Sequence, residues 1–403
     1  MASSNKGIIT VPMREAALKK RLRRHLKSLG FRKDSEGTLI PPGTGKDAVR
    51  TIHAVQRDDR LAASEAFIAQ RYAKLIGYFA SGHEVVPSQI KPRLQLILSD
   101  TWEGDLFRLA SLTWSVPVSN GFGRRLRYLV WDDHIGKLIG IIAIGDPVFN
   151  LSVRDSLIDW TVQDRGERLV NVMDAYVLGA LPPYNRLLGG KLVACLIRTR
   201  DIYDDFSKAY GKTTGIISNQ EKKARLLAVT TSSSMGRSSI YNRLKLDDTQ
   251  YFRPIGYTGG WGHFHIPDSL FEELRDYLRV IGHKYADQHQ FGEGPNWRLR
   301  STRAALVALG FNEDLLRHGI QREVFLCELA DNAVQMLSSG RGKPKLATLK
   351  SAQEVAELAL NRWVLPRAER QQDYLDWSRE DIRSLLDTRR ELPVLPMRAL
   401  SRG

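Results

Sequence analysis

Cysteine is almost missing: Cys195 and Cys327 are the only two in 403 residues, one inside an apolar helical pattern and the other in FLCELA. That excludes a disulfide framework and a thiolate zinc site, so any metal must be held by His, Asp or Glu. Long apolar runs are missing too. The longest, around LIGIIAIG, fall far short of the roughly 20 residues that cross a bilayer. The opening MASSNKG carries no signal-peptide core, so no membrane partner is expected and the cytoplasm is the expected compartment. Internal repeats and long low-complexity tracts are lacking as well, which excludes a solenoid. Acidic residues are in deficit, 45 against 60 Lys and Arg, for a net charge of +15. A polyanion is therefore the expected partner, nucleic acid first and DNA ahead of RNA, gripped by phosphate neutralisation and counterion release.

With 42% hydrophobic residues the chain can bury a full core. It divides into a basic helical region over 1–100, a central mixed α/β region over 101–270 and a helical region over 271–403. The centre is VMDAYVLGALPPYNRLLGGKLVACLIRTRDIYDDF, residues 172–206. Its apolar run reads as a buried strand stopped at Gly179 and Pro182-Pro183. The three- and four-residue spacing of Leu192, Cys195, Leu196, Thr199, Ile202, Tyr203 and Phe206 predicts one long helix behind it. Gly189, Gly190 and Lys191 open that helix, where free amides and the positive dipole end could cradle a phosphate. Cationic surface is expected to gather around this turn.

At the N-terminal side, REAALKKRLRRHLKSLGFRK predicts a helix ended by Gly30, with Leu18, Leu22, Leu26 and Leu29 on one face and six cations around them. IPPGTGKD imitates an ATPase phosphate loop. However, Ile40 stands where a glycine belongs and Asp47 replaces the magnesium-binding hydroxyl, so it reads as a loop leading into a helix. Further on, the glycine-rich turn before Arg124, Arg125 and Arg127 could hold an anion. RRLRYLVW and LIGIIAIG read as an antiparallel hairpin. NLSVRDSLIDWT and RSSIYNRL read as helices, and LLAVTTSS, YFRPIGY and HFHI as strands.

In a strand, His263 and His265 would share a face and could chelate one divalent metal. With Tyr277, Tyr241 or Tyr285 as nucleophile, this is the pattern of metal-dependent nickases and transposases of the histidine-hydrophobe-histidine class. Beyond Phe271 the chain reads as helical, with LLRHGIQREVFLCELADNAVQML as one helix and GRGKPK as a basic surface loop. Between two of these helices, QFGEGPNWRLR combines Trp297, Arg298 and Arg300, a stacking surface and cations suited to single-stranded nucleic acid.

The element order resembles the Gcn5-related acetyltransferase fold. PPYNRLLGG retains Pro182, Tyr184 and Gly190 of its P-x-Y-R-G-x-G-I-G turn, while Leu188 stands where the first cradle glycine belongs and works against acyl-coenzyme A. The resemblance implies Tyr241 as general acid and Asp174, or a water, as base. Finally, WSVPVSNGFGRRLRYLV, IGDPVFNLSVRD, LGALPPYNRLLGGKLVA, TTSSSMGRSSIYNRL, IGYTGGWGHFHI and FGEGPNWRLR together resemble the Druantia anti-phage system protein DruA family. This resemblance implies a bacterial defence component whose partners include a large helicase-like protein, and it brings no catalytic residue set.

Overall fold

The structure, a computed structural model, describes residues 11–35, 39–43, 45–119, 121–214, 221–287 and 295–388. Its centre is a seven-stranded sheet. In chain order the strands are β1 (Pro92–Leu96), β2 (Arg125–Asp132), β3 (Lys137–Gly145), β4 (Val172–Ala180), β5 (Ala228–Ser232), β6 (Arg253–Tyr257) and β7 (Glu323–Glu328). They lie in the spatial order β6-β7-β5-β4-β3-β2-β1. All neighbours are antiparallel except β4 and β5. The β2-β3 hairpin forms as expected.

Side chains along each strand point to opposite faces, and both faces are covered. Tyr128, Val130, Ile142 and Met173 meet one helical layer, while Leu129, Trp131, Ile141 and Val177 meet another. The first layer includes α7 (Gly189–Cys195), α8 (Arg200–Tyr210) and α12 (Ala352–Ala359); the second includes α3 (Glu65–Leu75) and α4 (Trp102–Leu112). A separate small core unites α1 (Val11–Ser28), α2 (Lys46–Ala62), α9 (Asp268–Val280) and α10 (Pro295–Ala308). The N-terminal helices thus share one helical body with the segment from Ile266 to Ile320. The leucines of α1 dock into it, whereas Lys20, Arg23, Arg24 and Lys27 stay exposed.

Four sequence expectations are corrected. The sheet reaches beyond 101–270, taking β1 from before it and β7 from after it. β7 replaces part of the expected helix through FLCELA: Glu323 to Cys327 are all buried, so the run has no polar face to reveal its period. The long helix behind β4 breaks at residues 196–199, where the Thr199 hydroxyl donates to the Leu196 carbonyl (2.8 Å). RSSIYNRL forms turns, because the Ser238 hydroxyl accepts from the amides of Ile240 and Tyr241 (3.1 and 3.0 Å) and so competes with helical pairing.

Candidate functional site

β4 carries a bulge. Ala143 faces Val177 and Ile144 faces Ala175, so Tyr176 is the extra residue. Pairing of β4 with β5 ends at Asp174 and Thr230, although β4 runs on to Ala180. The two strands therefore part at the middle of the sheet. Here Thr230 donates to the Asp174 carboxylate (2.7 Å), and burial raises the Asp174 pKa to about 6. Tyr241 packs against Phe252 and Phe325 at 5.1 and 5.3 Å between ring centres. Its hydroxyl reaches the Leu178 carbonyl of β4 (3.4 Å). Burial pushes that hydroxyl up to about 12. Asp174 and Tyr241 are thus brought to the same region, but as parts of the packed wall.

The turn after β4 is also folded inward. Leu188 adopts a left-handed conformation, φ +59°. The Gly189 amide donates to Tyr184 (2.9 Å) and the Lys191 amide to Leu188 (2.9 Å). The Lys191 ammonium lies 5.3 Å from the Trp363 ring centre. Two of the three amides expected to cradle phosphate are already used.

At the C-terminal end of β4 lies a cleft of about 460 Å³. Trp114 to Val118, Tyr176, Ala180, Asn185, Arg186, Met235, Trp377 and Leu385 are among its lining residues. Arg57 of α2 ties its rim together, donating to the carbonyls of Trp114 (3.3 Å) and Leu385. The Arg186 guanidinium sits 5.8 Å from the Trp377 ring centre. The cleft is chiefly apolar, with Arg186 its only cation among the lining residues.

Cations line a second cavity, at the other end of β4. A cavity of about 590 Å³ is lined by Arg168, Lys223, Arg225 and Arg341, with Glu167 its only carboxylate among the lining residues. Arg168 is held by Asp164 (2.9 Å), and Arg225 donates to the Gly342 carbonyl (3.2 Å). Among the described residues, no carboxylate pairs with Lys223, Arg225 or Arg341. GRGKPK signalled one side of this cavity; nothing in the sequence joined it to residues 168 and 223–225.

The remaining predicted residues lie apart. Arg124 is anchored by Asp146 (2.8 Å) and donates to the Val170 carbonyl (2.8 Å). The Arg125 amide donates to the Tyr210 hydroxyl (2.9 Å), and Arg127 lies 5.7 Å from the Phe107 ring centre. Trp297 is wedged between Phe271 and the Arg275 guanidinium (5.4 and 4.9 Å). Arg298 pairs with Asp268, and Arg300 is exposed on α10.

HFHI is not a strand. After an isolated bridge from Trp261 to Arg317 the chain turns, and the Ile266 amide donates to the His263 carbonyl (3.0 Å). His265 is buried and bonds the Leu315 carbonyl through Nε2 (2.9 Å). Among the described residues, no group of three or more His, Cys, Asp or Glu is placed to hold a metal ion. The Tyr277 hydroxyl donates to Glu15 (2.8 Å) inside the helical body and is pushed up to about 12, chiefly by burial. His265 Nε2 and the Tyr277 hydroxyl are thus each held by a partner within the protein.

No helix among the described residues is long and apolar enough to cross a membrane. No solved structure matches the chain. Residues 43–339 match the family profile described as Druantia protein DruA. The chain is 63% identical over 375 residues, 93% of each chain, to the Druantia protein DruA of Escherichia coli (strain UMEA 4076-1). By both measures, this chain belongs to the Druantia protein DruA family.

Proposed function

We propose that this chain is the nucleic-acid-gripping component of a Druantia anti-phage defence system, the system its family membership brings with it. Other proteins of that system, a helicase-like one included, are its expected partners. The observation that carries the proposal is the collection of Arg168, Lys223, Arg225 and Arg341 around one cavity with a single carboxylate. Lys223, Arg225 and Arg341, without carboxylate partners among the described residues, bind phosphates at little cost, because no internal ion pair has to be broken first.

The test is affinity for a single-stranded DNA oligonucleotide across a salt series. Log affinity is expected to fall linearly with log salt, and the pair Lys223→Glu with Arg341→Glu is expected to flatten that slope by about 1.5. A flat profile in the unaltered protein, or no binding to any DNA or RNA, removes the proposal.

The sheet supports a related reading, an acetyltransferase-type core that has lost its chemistry. One parallel pair in an otherwise antiparallel sheet, the bulge at Tyr176 and the parting of β4 from β5 favour that type. Its cofactor end is filled by Tyr241 and Leu188. Acetyl-coenzyme A is therefore expected to leave the melting temperature unchanged at saturating concentration, since only a ligand of the folded state raises it. A clear rise would restore acyl transfer.

A further inference from the structure

We propose that the cleft at the C-terminal end of β4 receives one unstacked base of the bound strand, an inference that rests on the nucleic-acid grip proposed above. The chemistry of its wall selects the ligand. Trp114, Tyr176 and Trp377 reach the cleft from three separate parts of the chain. Among the described residues, no ring-to-ring contact joins them. Aromatic side chains that line one cleft offer it a stacking surface, and a heterocycle is the flat partner that every nucleotide carries.

The wall also has polar features that a purely hydrocarbon ligand would leave unused. The Trp377 indole N–H has no acceptor among the described residues. Ser115, Asn185 and Ser234 line the same space, and Arg186 lies against Trp377. A volume of about 460 Å³ is in the ordinary range for a site that takes a small molecule.

A thioester cofactor fits this cleft poorly. Its phosphates would need the amides beside the turn, and those of Gly189 and Lys191 are bonded internally. A nucleic-acid strand brings its phosphates elsewhere, to the basic cavity at the start of β4. The two places lie roughly 20 to 30 Å apart along that strand, at about 3.3 Å per residue. One polymer can therefore occupy both, its backbone held electrostatically at one end and a base seated at the other.

The experiment compares the full chain's affinity for a single-stranded DNA oligonucleotide with that for an abasic backbone of the same length. The base-bearing strand is expected to bind about tenfold more tightly or better. Trp377→Leu is expected to erase that preference while leaving the salt slope in place. Trp377→Phe, which keeps a ring and removes the N–H, should fall between. Since the strand comparison is made on the unaltered protein, it decides even where a substitution impairs folding.

Equal affinity for both strands, each weakened by Lys223→Glu with Arg341→Glu, overturns the base cleft and leaves the grip standing. A base preference undiminished in Trp377→Leu also overturns it. Binding to neither strand removes both proposals.

Discussion

Replacing Arg154 with alanine is expected to cost about 3 to 5 kcal/mol of folding free energy, read as a lowered urea midpoint. Its side chain is fully buried, and the guanidinium makes bonds in several directions. It donates to the Asp155 carboxylate through Nε and Nη2 (2.8 and 2.6 Å). It also donates to the carbonyls of Val148 and Phe149 (3.0 and 2.9 Å), and it lies 5.5 Å from the Trp160 ring centre. The loss is large because of what remains. Two carbonyls would lose their guanidinium donor, and Asp155, itself buried, would keep Arg165 (2.8 Å) and the Leu151 amide (3.1 Å) as its polar side-chain partners. Arg154→Lys is expected to recover only part of the stability, because an ammonium supplies the charge without the planar fork. A folding free energy within 1 kcal/mol of the unaltered protein's in Arg154→Ala would show that water replaces the guanidinium.

This network also illustrates what could be read from the chain. VRDSLIDW announced a helix, and α5 (Ser152–Ile158) is there. That its arginine is interior was hidden, since Arg154 looks like any solvated cation until the carbonyls of residues 148 and 149 fold back over it. The β2-β3 hairpin was legible because two apolar runs flank a short polar turn, DDHIGK. β7 was not, because its buried run has no such paired run beside it in the sequence. RSSIYNRL looked helical by spacing, yet its turns are held by Glu323, eighty residues away, which accepts from the Ser238 amide (3.0 Å) and the Asn242 side chain (3.1 Å).

The site divides along the same line. Net charge pointed to a polyanion, but the position of the cations depends on which loops the sheet brings together. Arg168, Lys223 and Arg341 meet only in three dimensions. The cleft was less visible still. WSVPVS, DAYVLG and PPYNR each stood out as a stretch, while Trp377, which supplies a cleft wall, sits in a helical tail that carried no signal of its own. A motif can be recognised by its neighbours in sequence; a surface assembled from 114, 176, 186 and 377 cannot.

The histidines account for the second large effect, acid unfolding that begins well above the carboxylate range. HFHI alternates like a strand, but Phe264 is held between two rings, His53 at 4.3 Å and His318 at 4.6 Å between centres. His265 lies 5.9 Å from His318, and the His25 ring contacts the His265 carbonyl (2.8 Å). Arg322 can only donate, so its bond to His53 Nε2 (3.3 Å) requires a neutral ring there. Burial, then the Arg322 charge, lowers the His53 pKa from 6.5 to about 3. Burial, then His265 and Arg322, lowers His318 to about 3. Burial lowers His265 to about 4. A lowered histidine means that the unfolded chain binds the extra proton first. The stability these rings carry is therefore complete above pH 6.5 and is lost as pH falls from 6.5 through 4 toward 3. At about 1.4 kcal/mol per pH unit, each ring accounts for on the order of 3 to 5 kcal/mol, without simple additivity because the rings sense one another. Asp174 acts in the opposite sense. Raised to about 6 by burial, it destabilises the fold at neutral pH and that penalty is relieved below pH 6, offsetting about 3 kcal/mol of the loss. The net expectation is a fold that unfolds between pH 6 and 4, with His265→Gln moving the acid midpoint downward and His83→Gln, at an exposed position, leaving it unchanged. An unaltered midpoint in His265→Gln at matched neutral-pH stability would place the acid sensitivity in the carboxylates instead.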